Sequence, residues 1–131
     1  MPVLGHGVDI IHVPRLARVL SEHREAFLER CFTEGERVYC MAAPKLAAQR
    51  LAARFAAKEA AYKCLAHDAG PAAGMTWLDF EVVKEAGGRP KLLVPGEAAR
   101  LAADRGMDDW LLSLSHSEEY AIASVIAQDT L

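Results

Sequence analysis

The segment Phe55-Ala56-Ala57-Lys58-Glu59-Ala60-Ala61-Tyr62-Lys63-Cys64-Leu65 constrains this chain more than any other. It reads as helix, yet it has no clean polar face. At 3.6 residues per turn, Leu51, Phe55, Tyr62 and Leu65 share one stripe. Lys58 falls in the middle of that stripe, Arg54 at one edge and Glu59 near the other. A charge among apolar neighbours costs free energy unless it is paired or meets a ligand. Most of the remaining positions are Ala, which lets another backbone approach closely.

Around this helix the pattern is mixed. Val3 to Ile11 reads as a strand interrupted by Gly5 and Gly7. Pro14 suits a first helical turn, and Leu16, Leu20 and Phe27 keep helical spacing after it. Thr33-Glu34-Gly35-Glu36 has the form of a capping box, which predicts a short helix to about Met41. Pro44 then opens the long helix to about Leu65, and Asp68 to Gly74 is a loop. Trp77 to Lys84 alternates, with Leu78, Phe80 and Val82 on one face of a predicted strand. Gly87-Gly88 turns the chain into a strand over Pro90 to Val94. Glu97 to Arg105 is a short helix stopped by Gly106, and Trp110 to Ser115 and Tyr120 to Ala127 form a hairpin around Glu118-Glu119. With no repeat or linker, the reading is one α+β domain over residues 1–131.

Composition excludes several classes. A content of 52% hydrophobic and 25% charged residues is that of a soluble globular protein. No apolar run reaches the roughly 18 residues of a membrane span, and no signal segment opens the chain, so a cytoplasmic protein is expected. Cys31, Cys40 and Cys64 lack Cys-x-x-Cys spacing and read as reduced, buried thiols. A net charge of −3 argues against general nucleic-acid binding.

Two carboxylates stand where packing does not ask for them. Asp9 lies in an apolar strand, a poor place for Asp, after two glycines that leave room for a ligand. Glu59 lies on the helix. Carboxylates from separate elements suit Mg²⁺, which takes few protein oxygens and completes its octahedron with phosphate and water. Arg54, Lys58 and Lys63 follow the same helix and suit phosphates. His116 ends a strand after Ser113-Leu114-Ser115. Together they point to a metal-assisted phosphoryl-type transfer. Other readings stay open from the residues alone. Asp9 suits a cap for the helix near Pro14, and Lys58 can snorkel to water. Glu59 and Lys63 make an i,i+4 pair worth about 0.2–0.5 kcal/mol. His116 suits a hairpin end, and His6, His12, His23 and His67 have no ligand spacing.

Longer motifs narrow the choice. Gly7-Val8-Asp9 with Arg15, Phe55-Ala56-Ala57-Lys58-Glu59-Ala60 with Lys63, and Ser113-Leu114-Ser115-His116 occur in that order. Arg30-Cys31-Phe32-Thr33 with Glu36, and Gly88-Arg89-Pro90, fall between them. The chain resembles the bacterial holo-acyl-carrier-protein synthases, the small 4′-phosphopantetheinyl transferases, over nearly its whole length. His12, Pro14 and Cys64 depart from the usual pattern of that family. The resemblance implies an antiparallel sheet packed on a long helix, and a homotrimer with its active site at the subunit interface. It implies transfer of phosphopantetheine from coenzyme A to a serine of apo acyl carrier protein, with release of 3′,5′-ADP. Asp9 and Glu59 are then expected to hold Mg²⁺, Glu59 to help remove the serine proton, and Lys63 to serve the leaving group. Arg54, Lys58, Lys63, Pro90 and His116 are expected on coenzyme A, and Arg15 and Arg18 on the carrier protein. The apolar surface of Ala52, Ala53, Ala56 and Ala60 is expected to pack between protomers. Two alternatives remain: another Mg²⁺-dependent transferase acting on a nucleoside diphosphate ester, and a trimeric binding module without turnover.

Overall fold

The computed structural model describes residues 2–66 and 75–130. His67 and the expected loop of residues 68–74 lie outside the described residues. In chain order the elements are β1 (Val3–His12), α1 (Val13–Glu22), α2 (Arg24–Cys31), α3 (Glu34–Met41) and α4 (Ala47–Ala66). A single 3₁₀ turn (Trp77–Asp79) leads to β2 (Glu81–Lys84), β3 (Pro90–Leu93), α5 (Gly96–Asp104), β4 (Asp109–His116) and β5 (Tyr120–Gln128). The strands β1-β5-β4 form one antiparallel sheet, and β2-β3 form a separate hairpin. This is the α+β fold expected, with α4 laid across β1 and β5.

Small residues decide how close that helix sits. Ala52, Ala53, Ala56, Ala57, Ala60 and Ala61 are fully buried within one chain. The Ala surface expected between protomers is therefore used inside the protomer. The reason is complementary: β1 offers Gly5 and Gly7, and β5 buries Ala121, Ala123, Val125 and Ala127 on the side of the helix. A Cβ on Gly7 would stand 2.0 Å from the Ala60 carbonyl oxygen. The opposite face of the sheet keeps Val8, Ile10, Leu111, Tyr120 and Ile122 exposed.

Other boundaries shift for local reasons. The helix after Pro14 ends at Glu22, so Arg24 and Arg30 ride on a second helix, α2. Val13 begins α1 with Pro14 in its first turn, and the N-cap is His12 with no side-chain bond, which removes Asp9 from that role. The capping box of Thr33 and Glu36 is formed at α3. A second box, Thr76 with Asp79, winds Trp77–Asp79 into the 3₁₀ turn where a strand was expected. Leu78 is thereby exposed, whereas Phe80 and Val82 are buried as predicted. All three cysteines are free and buried, and burial pushes the Cys40 and Cys64 thiols up to about 11.

Candidate active site

Pairing of β1 with β5 sets Asp9 opposite Ala123, on the side that faces α4. There the Lys63 ammonium donates to the Asp9 carboxylate at 3.1 Å and to the Val8 carbonyl at 2.9 Å. Glu59 lies one turn before Lys63 on the same helix. Burial first, and then the nearby negative charge of Asp9, raise its carboxyl above the ordinary carboxylate value; Lys63 acts in the opposite direction. The fold thus brings Asp9, Glu59 and Lys63 together from elements far apart in sequence. Two carboxylates share one cation, so the cluster has anionic capacity to spare.

Glu59 borders a cleft of about 560 Å³, with His12, Arg15, Val19, Phe27, Phe55 and Tyr120 among its walls. Arg15, expected to dock a partner, therefore also edges this cleft. Arg18 and Arg15 lie on α1 away from Leu16 and Leu20, which face the core as predicted.

Lys58 does not join the site, which corrects the expectation that it meets a phosphate. Its side chain is fully buried and ion-paired with Glu36 at 2.6 Å. It also donates to the Phe80 carbonyl at 2.6 Å and the Trp77 carbonyl at 3.0 Å. In the sequence Glu36 stands as a capping residue and beside the Arg30-Cys31-Phe32-Thr33 motif, with nothing to tie it to Lys58. It caps Thr33 N–H and accepts from Val82 N–H while balancing Lys58.

Arg54 and His116 form another locus. His116 Nδ1 lies 3.0 Å from the Gln49 side-chain oxygen. Burial of the ring base, then the charges of Arg54 and Arg50, hold its pKa below the ordinary imidazole value. Arg54 is 5% exposed, stacks 4.5 Å over the Tyr39 ring and has a buried Nε without a hydrogen-bond partner. Arg50 and Lys84 crowd the same ring at 4.3 and 5.1 Å. Burial works to raise the Tyr39 phenol, but the bond from Lys84 and the charges of Arg50 and Arg54 outweigh it and the net shift is downward. Sequence reading missed Tyr39, Gln49 and Arg50 because nothing local marks them. Pro90 stands elsewhere, in a cleft of about 450 Å³ with Arg89, Lys91 and Ser113. That lining shares no residue with the Glu59 cleft.

The donor set fits a hard divalent cation. Two carboxylates that repel each other are relieved by such an ion, and Mg²⁺ needs only one or two of them beside a phosphate. Among the described residues no trio of His, Cys, Asp or Glu gathers as a transition-metal site would require. Fold and site define a small α+β protein equipped for transfer of a phosphorylated group.

Comparison with known proteins narrows the class. A family model described as the 4′-phosphopantetheinyl transferase superfamily matches residues 5–125. A holo-[acyl-carrier-protein] synthase of Koribacter versatilis is 46% identical over 127 residues, covering 97% of this chain and 99% of the relative. The same-named protein of Syntrophotalea carbinolica is 46% identical over 96% of this chain and 97% of its own. Among solved structures, the holo-[acyl-carrier-protein] synthase of Neisseria meningitidis superposes with a TM-score of 0.85 at 27% identity, over 98% of this chain and all of that one. A Bacillus anthracis holo-(acyl-carrier-protein) synthase in complex with CoA (3′,5′-ADP) gives 0.76 at 32% identity, over 98% of each chain. The chain belongs to the 4′-phosphopantetheinyl transferase superfamily.

Proposed function

We infer that this chain is a holo-acyl-carrier-protein synthase, which moves the 4′-phosphopantetheine arm of coenzyme A onto a serine of apo acyl carrier protein. The serine oxygen bonds to the phosphorus that carries pantetheine. The bond from that phosphorus to the bridging oxygen breaks, and 3′,5′-ADP leaves. The observation that carries this reading is the meeting of Asp9 and Lys63 with Glu59, which borders the cleft, in a chain whose relatives are named for the reaction.

Asp9 and Glu59 would hold Mg²⁺, and when bound the ion neutralises charge on the diphosphate. Glu59 borders the cleft and is suited to take up the serine proton. Lys63 is held at Asp9 and Val8 by two bonds, and places a cation beside the leaving group. Arg54 and His116 are suited to a phosphate of coenzyme A, Arg54 because its buried Nε has no partner. Arg15 and Arg18 present a basic pair to an acidic carrier protein.

Separation of the Pro90 cleft from the Glu59 cleft supports completion of the site by a second copy. The exposed Val8, Ile10, Leu111 and Ile122 supply an apolar face for a homotrimer. The family match over residues 5–125 supports one domain, and three buried free thiols fit the reducing cytoplasm. No helix among the described residues is long and apolar enough to cross a membrane.

Mass spectrometry of apo acyl carrier protein incubated with coenzyme A and Mg²⁺ tests the function. Gain of one phosphopantetheine is the expected result. Binding without a mass change would leave a non-catalytic module. A monomer by light scattering, with activity intact, would remove the shared site. Arg15→Glu should raise KM for carrier protein more than KM for coenzyme A, and added salt should narrow the gap, because exposed charges are screened beyond about 8 Å at physiological ionic strength.

A further inference from the structure

Lys58 is next to Glu59 in sequence, yet every proton of its ammonium is spent inside the protomer. Three donors meet the Glu36 carboxylate, the Phe80 carbonyl and the Trp77 carbonyl. Glu36 is equally committed, to Lys58, Thr33 N–H and Val82 N–H. A phosphate at Lys58 would have to displace a fully buried, fully bonded pair. The role of this lysine is thus to be sought in what it holds.

What it holds is the turn that carries Trp77. The Trp77 ring lies 5.3 Å from Phe55 and 5.8 Å from Tyr62, centroid to centroid. Phe55 and Tyr62 stand one turn before and one turn after Glu59 on α4. Phe55 also walls the Glu59 cleft, and Trp77 and Tyr62 wall a second cleft of about 560 Å³ with Arg30, Met75 and Leu78. Trp77 itself is only half-buried, and its turn is short. Within the turn the Phe80 N–H reaches the Trp77 carbonyl at a long 3.4 Å, whereas Lys58 reaches that carbonyl at 3.0 Å. We propose that Lys58, neutralised by Glu36, is a positioning residue for the transfer: it pins the Trp77 turn so that the ring braces Phe55 and Tyr62 on either side of Glu59. The proposal rests on the transferase reading above.

Three variants of the full chain test it, with coenzyme A, Mg²⁺ and apo acyl carrier protein as substrates. The first two are Lys58→Met and the paired replacement Lys58→Met with Glu36→Leu, which leaves no buried charge unpaired. The third, Trp77→Ala, keeps the ion pair and removes only the ring. In all three kcat should fall about tenfold or more while KM for coenzyme A stays within about twofold. In a Trp110→Phe background, emission from Trp77 should shift to the red and become more quenchable by acrylamide when the pair is replaced. A tenfold rise in KM for coenzyme A with kcat intact in the Lys58 variants would overturn the proposal, because Lys58 would then meet the substrate. Unchanged kcat in Trp77→Ala would overturn it as well, even where the Lys58 variants fail to fold. If the wild-type chain transfers nothing, the functional reading fails. Emission then decides the geometry: a red shift in the paired variant supports the pinning, and an unshifted spectrum overturns it.

Discussion

Lys58 and Lys63 ride on one helix and serve opposite ends. Lys58 is sealed from water with a carboxylate and two carbonyls around it, so its charge is cancelled where it stands. Lys63 keeps 49% of its side chain exposed and faces Asp9, with Glu59 close by. The first cluster is saturated. The second has more anionic charge than its lysine can neutralise, and burial has already raised one of its carboxyls. A saturated buried pair fastens structure, and removing one partner strands the other. An unsaturated one at a cleft has capacity left for a cation and a phosphate. The difference lies in pairing, not in residue type.

The comparison breaks first on catalysis. Asp9→Asn and Glu59→Gln keep shape and remove charge from the unsaturated cluster. Transfer should fall by roughly 10²–10³-fold in each, the scale of losing one preorganised electrostatic group. Circular dichroism should be unchanged. Near-normal turnover at saturating Mg²⁺ in either variant would sink the ligand assignment.

Stability should show the inverse. Glu36→Gln leaves the Lys58 ammonium buried without a counter-charge, and breaking such a pair costs about 3–5 kcal/mol. Glu59→Gln should melt no lower than the wild type at neutral pH. The sign follows from the raised Glu59 carboxyl. Over the interval between its unfolded and folded pKa the native chain binds the extra proton, so stability falls as pH rises through that interval. Removing the group removes that loss and flattens the pH dependence there. Thermal melts of the two Glu→Gln variants across acid to neutral pH measure both effects. A destabilised Glu59→Gln would return Glu59 to a structural role.

These contrasts also mark what could be read from the chain. The class, the long helix, the capping box at Thr33 and the buried stripe were legible, because periodicity and caps are local signals. Asp9 and Glu59 were legible as charges that packing does not explain, and family motifs joined them. Lys58 looked the same by that test. Its partner, Glu36, lies outside the helix and was hidden behind a capping role that is itself real. Nothing in a single sequence says that one carboxylate does both. Trp77–Asp79 went wrong for a related reason: the Leu78, Phe80, Val82 alternation masked the Thr76–Asp79 box. The Ala surface was expected between protomers; it is a close-contact face, but toward its own chain, whose strand with Gly5 and Gly7 could be placed only by the fold.

Gly7 tests whether that close contact also holds the open cluster. A Cβ there would stand 2.0 Å from the Ala60 carbonyl oxygen and 2.8 Å from its carbon. Gly7→Ala must push β1 off α4, and overpacking of this kind costs about 1–3 kcal/mol. Asp9 lies on the same side of the same strand, so activity should fall with stability. A Gly7→Ala chain that melts as the wild type would mean that β1 and α4 are less closely seated.

The smallest expected effect is the stability of Lys63→Met. Its ion pair with Asp9 spans 3.1 Å, but the lysine is half in water and the side chain of Asp9 is 18% exposed. Solvent screening limits such a pair to about 0–1 kcal/mol, so the melting temperature should move by no more than a few degrees. Activity should nonetheless drop clearly, since the lost cation is the one beside the carboxylates. Urea unfolding and turnover of the same preparation separate the two. A loss approaching that of Glu36→Gln would show Lys63 to be as much a fastener as Lys58, and the contrast between the two lysines would no longer hold.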